Sequence, residues 1–290
     1  MKDLSQYPFH RNYFLTKSGH RMHYLDEGPH ETPPILFLHG NPTWSFMYRN
    51  LISALSKTNR CLAPDHMGCG LSDKPSLNEF AYDLKSHSQN IFDLLEELSI
   101  DQFCLVVHDW GGAIGLTAFR DQLSRLKKIV LLNTASFHSA DVPKRILFCR
   151  LPLIGSLFVR GLNGFAWPAT FMATAKGLPK EAKAGLLAPY NSWRNRIAVW
   201  RFVKDIPYES NHPTRTLLKK TESQLAELKT KEIISCWGMK DFCFHPGFLE
   251  KWKKILPNLK SYEFEDSGHY ILEDNYSDCA EKIKPFLISQ

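Results

Sequence analysis

Phe103-Cys104-Leu105-Val106-Val107-His108-Asp109-Trp110-Gly111-Gly112 decides the reading of this chain. Five apolar residues form a candidate strand buried on both faces. A sharp turn follows, and two glycines open a helix. That is the outline of a nucleophile elbow, where a reactive side chain stands at the end of a buried strand. Serine is the usual occupant and would suggest an esterase or lipase. Here the position holds Asp109. A carboxylate suggests attack on an electrophilic carbon and a covalent enzyme ester.

Working outward, short apolar runs recur at residues 21–25, 35–38, 60–63, 103–107, 129–132, 232–237 and 259–264. Helical patterns lie between them. The clearest covers 82–98, with Leu84, Ile91, Leu95 and Leu98 on one face. Residues 113–120 and 246–256 also read as helical. Strands alternating with helices imply an α/β fold with a mostly parallel, doubly wound sheet.

The alternation stops near Thr134 and resumes near Glu232. The stretch between is helix-prone, rich in Phe, Trp and Tyr, and broken by Pro143, Pro152, Pro168, Pro179, Pro189 and Pro207. An insertion at this point lies over the carboxyl ends of the strands, where such sheets bind ligands. The expected organisation is a core of residues 1–135 and 216–290 carrying a helical cap of residues 136–215. Aromatic residues are expected to face a pocket, with Trp44, Phe165, Tyr190 and Trp193 as candidates for its wall.

Composition bounds the partners. Of 290 residues, 43% are apolar and 23% charged, ordinary values for a soluble protein. The 36 basic against 30 acidic residues give a net charge of +6, short of a nucleic-acid signature, and the cations are spread along the chain. No run is long enough to span a bilayer, and the first residues lack the apolar core of a signal peptide. Seven cysteines without framework spacing suggest free thiols in a reducing cytoplasm. Cys236, Cys243 and His245 lie close in sequence, but their spacing matches no common zinc pattern, so no metal is expected. The reading calls for no cofactor and for a small apolar substrate.

An aspartate nucleophile needs a base to activate water, an acid to orient that base, and donors for the anion that forms. Triads on this fold run nucleophile, acid, histidine. Ser267-Gly268-His269-Tyr270 follows the last strand and makes His269 the candidate base. The acid has two seats. The strand at 129–132 ends in Asn133-Thr134-Ala135, without a carboxylate, whereas the strand at 232–237 ends in Gly238-Met239-Lys240-Asp241. Asp241 is therefore the candidate acid, and Asp73 is assigned to a turn. Donors come from the helix start at Trp110 and from the loop His39-Gly40-Asn41-Pro42-Thr43-Trp44, where Asn41 offers a backbone N–H and a carboxamide. The Trp110 indole is a second neutral donor. His39 and His108 are read as structural.

These residues resemble the aspartate-nucleophile branch of the α/β-hydrolase fold, in particular haloalkane dehalogenases with an Asp-His-Asp triad and an Asn-Trp donor pair. The matching segments are residues 39–46, Pro64-Asp65-His66-Met67-Gly68-Cys69-Gly70-Leu71-Ser72-Asp73-Lys74-Pro75, and residues 107–112. The lid segments 188–197 and 201–207 resemble one subgroup, the β-lactone decarboxylases of bacterial head-to-head olefin biosynthesis. A typical member carries aspartate where this chain has Asn191. The resemblance implies conversion of a cis-3,4-dialkyl-β-lactone to a cis-olefin and carbon dioxide, and a place in a multi-enzyme assembly. It also implies Asp109 as nucleophile, His269 as base, Asp241 as its partner, and Asn41 with Trp110 as anion donors. Three alternatives share the site: a haloalkane dehalogenase, an epoxide hydrolase using lid tyrosines such as Tyr190 or Tyr208, and an inactive binding module.

Overall fold

A computed structural model describes residues 5–288. Its strands are β1 Asn12–Leu15, β2 Arg21–Glu27, β3 Ile35–Leu38, β4 Cys61–Pro64, β5 Phe103–Asp109, β6 Leu126–Thr134, β7 Glu232–Gly238 and β8 Lys260–Phe264. They form one sheet in the order β1-β2-β4-β3-β5-β6-β7-β8. The β1–β2 and β2–β4 pairs are antiparallel, and every pair from β4 to β8 is parallel. Strands β3, β4 and β5 are buried at every position, as strands covered on both faces must be.

The sequence reading and the structure differ at strand ends. Strand β1 is absent from the reading because it is a four-residue edge strand with alternate residues exposed, so no apolar run marks it. Strand β6 begins at Leu126 rather than 129 because Lys127 and Lys128 interrupt its apolar pattern. The Lys128 ammonium donates to the backbone carbonyl of Phe286 at 2.9 Å, which lets that lysine sit in a buried strand. Strand β5 runs two residues past Val107, to Asp109 itself.

Core helices are α1 Arg49–Leu55, α2 Leu84–Glu97 and α3 Trp110–Ala118. Between β6 and β7 come α4 Lys144–Cys149, α5 Ile154–Ser156, α6 Ala166–Met172, α7 Lys180–Leu187, α8 Ile197–Asp205 and α9 Pro213–Gln224, followed after β7 by α10 Pro246–Ile255, α11 Ile271–Asp274 and α12 Tyr276–Ile288. Helix α2 starts at Leu84 because the Asp83 carboxylate caps it, accepting the Ser86 N–H at 2.8 Å. One apolar layer on each face of the sheet holds these helices in place. A third, smaller apolar cluster joins α4, α6 and α8 through Ile146, Cys149, Val159, Ala166, Tyr190, Val199 and Val203.

The chain leaves β3 toward one edge of the sheet and β5 toward the other. Such a reversal opens a crevice at the carboxyl ends of those two strands. Asp109 ends β5, and the 39–44 loop follows β3 directly.

Candidate active site

Asp109 is a one-residue turn. Its backbone has φ +53° and ψ −126°, with β5 ending on it and α3 starting at the next residue. A non-glycine residue there is strained, and strain of this kind costs on the order of 1–3 kcal/mol. Its neighbours permit the turn. A Cβ at Gly111 would strike the Leu38 carbonyl, one at Gly112 the Thr134 hydroxyl, and one at Gly40 the Asp109 carboxylate itself. The Thr134 hydroxyl donates to the Asp109 carbonyl at 2.5 Å and holds the turn from β6.

The carboxylate has two distinct oxygens. Oδ1 accepts the Asn41 backbone N–H at 2.7 Å. Oδ2 lies 3.6 Å from Nε2 of His269. On the far side of that imidazole, Nδ1 donates to Oδ2 of Asp241 at 2.8 Å. The other Asp241 oxygen accepts the Cys243 N–H at 2.6 Å. Asp109, His269 and Asp241 are all buried. The two carboxylates, Asp241 above all, outweigh the effect of burial and raise the His269 pKa above its ordinary value. Burial raises that of Asp109 in turn, against the opposing pull of His269 and of the Asn41 and Trp110 N–H groups.

The two histidines assigned to structure take structural bonds. His108 Nε2 donates to the His269 carbonyl at 2.8 Å, and burial keeps its pKa well below the usual value. His39 Nδ1 donates to the Gly40 carbonyl at 2.8 Å, while its Nε2 accepts the His66 N–H at 3.0 Å. Asp65 explains the 64–75 motif. Its carboxylate accepts N–H groups from Ser45 and Leu71 and bonds His23 Nδ1, each at 2.8 Å, tying the loop after β3 to the loop after β4. Asp73 accepts the Arg21 N–H at 2.8 Å, far from the triad geometry.

A cavity of about 440 Å³ opens above Asp109. Asn41, Asp109, Trp110 and His269 line its inner end. Its wall is otherwise largely apolar, with Phe137, Phe148, Phe158, Phe165, Met172 and Phe244 prominent. The indole N–H of Trp110 has no hydrogen-bond partner among the described residues. The Asn41 carboxamide spends one N–H on the Val199 carbonyl at 3.1 Å, which docks α8 on the site and leaves one N–H over.

Of the four candidate wall residues, only Phe165 lines the cavity. Trp44 is fully buried in the core, its ring against Tyr7 and Phe46 and its indole donating to the Gly185 carbonyl at 3.1 Å. Tyr190 is buried elsewhere, with its hydroxyl on the Thr43 carbonyl at 3.0 Å. Trp193 sits at the surface under the Arg160 guanidinium, 4.2 Å from its ring centroid. Each found a partner that sequence does not display. The reading also missed four contributors. Phe244 stacks on the His269 ring at 5.7 Å, Tyr270 lines the cavity beside His269, Phe137 closes the wall after β6, and Asn133 bonds Asp241. Asn133 alone left a signal, being a polar residue at the unused acid seat.

Fold and site together define a class. The chain matches the alpha/beta hydrolase fold family over residues 33–276 and belongs to it. Within that family it is 41% identical over 285 residues to the cis-3-alkyl-4-alkyloxetan-2-one decarboxylase of Shewanella oneidensis, covering 97% of this chain and 89% of that one. It is 33% identical to haloalkane dehalogenase 2 of Mycobacterium tuberculosis, over 94% of this chain and 93% of the relative. The solved structure of the haloalkane dehalogenase DbeA from Bradyrhizobium superposes with a TM-score of 0.85 at 22% identity, covering 96% and 97% of the two chains, a likeness of fold.

Proposed function

We propose that this protein is a β-lactone decarboxylase that converts a cis-3-alkyl-4-alkyl-oxetan-2-one to a cis-olefin and carbon dioxide. The observation that carries the reading is an apolar cavity of about 440 Å³ ending on Asp109, in a chain 41% identical to an enzyme of that name. A cavity of this size and lining suits a small apolar ligand with one polar end.

The residues support a balanced sequence. An oxygen of Asp109 attacks the ring carbon C4, the C4–O bond breaks, and the ring carboxyl leaves as a carboxylate while remaining attached through C3. The Trp110 indole and the remaining Asn41 N–H hold that carboxylate as neutral donors. The C3–carboxylate bond then breaks to give carbon dioxide, its electron pair forms the C3=C4 double bond, and the Asp109 ester oxygen departs with its own pair. Asp109 returns unchanged, and neither water nor a proton is consumed. Inversion at C4 followed by anti elimination yields the cis-olefin from the cis ring. His269, fixed by Asp241, faces the Asp109 oxygen and stabilises its negative charge as the ester breaks.

The dehalogenase relative supports a second reading with the same first step, in which Asp109 displaces halide and His269 directs water onto the ester. Epoxide hydrolysis has less support, because Tyr190 is committed to Thr43 and Tyr208 lies exposed outside the cavity wall. A core of 1–135 and 216–290 with a cap of 136–215 remains the organisation we infer. Cytoplasmic location rests on the seven free cysteines, and membership of a multi-enzyme assembly on the sequence resemblance alone.

The test is a product analysis. Incubation with a cis-3,4-dialkyl-β-lactone is expected to yield olefin and carbon dioxide in equal amounts, with no halide release from a panel of bromoalkanes. β-Hydroxy acid as the sole product, or halide release without olefin, overturns the reading.

A further inference from the structure

Exposed large apolar side chains concentrate in one segment among the described residues. Fourteen such residues stand exposed among the described residues, and eight of them lie between positions 148 and 171. Leu151, Leu153, Ile154, Leu157 and Leu162 surround the short helix α5, with Leu153 80% and Leu162 78% exposed. Trp167 and Phe171 follow on the outer side of α6, whose other residues Pro168, Ala169 and Met172 line the cavity. Leu153 is held at φ +57° on the turn after Pro152, a strained conformation that presents an aliphatic tip to solvent. Apolar surface on this scale marks an interaction site.

Charge selects the partner. From Val142 to Lys180 the chain carries Lys144, Arg145, Arg150, Arg160, Lys176 and Lys180 and no acidic residue. Arg150 and Lys176 pair with Glu209 and Asp266. Lys144, Arg145, Arg160 and Lys180 have no carboxylate partner among the described residues. Exposed aliphatic tips on a segment whose Lys144, Arg145, Arg160 and Lys180 lack carboxylate partners match the interface of an anionic bilayer, with acyl chains below and phosphates around.

The cavity opens at the same face. Phe148 both lines the cavity and is 44% exposed, and its ring packs on Phe158, another lining residue, at 5.4 Å. Arg145 lines the same end. A bilayer seated on α4, α5 and α6 therefore covers the mouth of an apolar cavity.

We propose that the 144–171 face of the cap docks on anionic phospholipid bilayers, inserting Leu153 and Leu157 among the acyl chains so that an apolar substrate passes from bilayer to cavity without crossing water. The substrate route rests on the function proposed above, whereas the docking itself is measured without turnover.

Co-sedimentation of the full chain with vesicles of phosphatidylcholine alone, or with added phosphatidylglycerol, tests it. Binding is expected to the anionic vesicles and to weaken with salt. A Leu153→Glu/Leu157→Glu double variant is expected to lose it by at least about tenfold, and Lys144→Glu/Lys180→Glu to lose it on the anionic vesicles. None of these side chains is in the cavity wall, and an unchanged melting temperature shows each variant folded. Failure of the wild type to sediment with either vesicle overturns the proposal. Equal sedimentation of Leu153→Glu/Leu157→Glu overturns it also. A dimer that this variant dissolves, without vesicle binding, assigns the face to a second copy instead; a purified partner protein that binds the wild type in solution and not the variant, again without vesicle binding, assigns it to that partner.

Discussion

The Asn133 carboxamide donates to Oδ2 of Asp241 at 2.9 Å, the same oxygen that accepts Nδ1–H of His269 at 2.8 Å. Asn133, the last residue but one of β6, has φ +35°, and its Oδ1 in turn accepts the Gly238 N–H at 2.8 Å. One amide thus ties the ends of β6 and β7 together and fixes which way the Asp241 carboxylate points. Replacing it with alanine is expected to leave the fold intact and lower kcat about 10- to 100-fold, the worth of one hydrogen bond to a buried charge. Steady-state kinetics on a β-lactone check this; an unchanged kcat assigns Asn133 to structure alone.

Gly40 faces the Asp109 carboxylate without a side chain. A methyl group at that position would overlap the Asp109 carboxylate. Gly40→Ala is therefore expected to turn the carboxylate off its bond to the Asn41 N–H and cut turnover by more than about 100-fold, because a misplacement on the order of 1 Å suffices for that loss. Turnover near that of the wild type would place the carboxylate elsewhere during reaction.

The Tyr190 hydroxyl bonds the Thr43 carbonyl, away from the cavity. Tyr190→Phe removes the hydroxyl that satisfies the Thr43 carbonyl. The expected cost is about 1 kcal/mol of stability with kcat unaltered, read from denaturant unfolding and product assays in parallel. A large fall in kcat would show that the hydroxyl acts on the reaction as well as on stability.

Asp205 at the end of α8 accepts the Leu84 N–H at 2.8 Å and the Thr214 hydroxyl at 2.6 Å, joining α8 to α2 and α9. Burial raises its pKa to about 7. The unfolded chain ionises this group near the ordinary carboxylate value, so the folded state holds the proton more tightly. The stabilisation is complete below the unfolded pKa and is lost as pH rises toward 7. A shift of that size corresponds to roughly 4 kcal/mol of pH-dependent stability. Asp205→Asn, which keeps one acceptor and adds a donor for Thr214, is expected to flatten melting temperature against pH between about 4 and 7. A variant as pH-dependent as the wild type would mean that Asp205 is ionised in the folded protein.

The places of the candidate residues were legible in the sequence, because each follows a strand end of recognisable composition: Asn41 after β3, Asp109 and Trp110 at the end of β5, Asp241 after β7 and His269 after β8. The alternation of buried strands and amphipathic helices was equally plain, apart from the half-exposed β1 and the lysine-interrupted start of β6. Partners chosen across the fold were not legible. Trp44 and Tyr190 carry the aromatic character of pocket residues, yet carbonyls 141 and 147 positions away in sequence claim their polar ends. Phe158 and Phe244 carry no local mark that separates a wall residue from a core residue. Asn133 stood at a seat where a carboxylate was sought, and its contribution depends on β7 lying alongside.

We propose that Asp109 forms and breaks its bond to substrate without water. Turnover of a cis-3,4-dialkyl-β-lactone in H₂¹⁸O, with olefin quantified and the Asp109 peptide weighed afterwards, tests it most directly. Olefin is expected from every turnover and the Asp109 carboxylate free of ¹⁸O, because the ester opens at the substrate carbon. An Asp109 peptide that gains ¹⁸O as product accumulates would contradict it, since label enters only when water attacks the Asp109 carboxyl carbon.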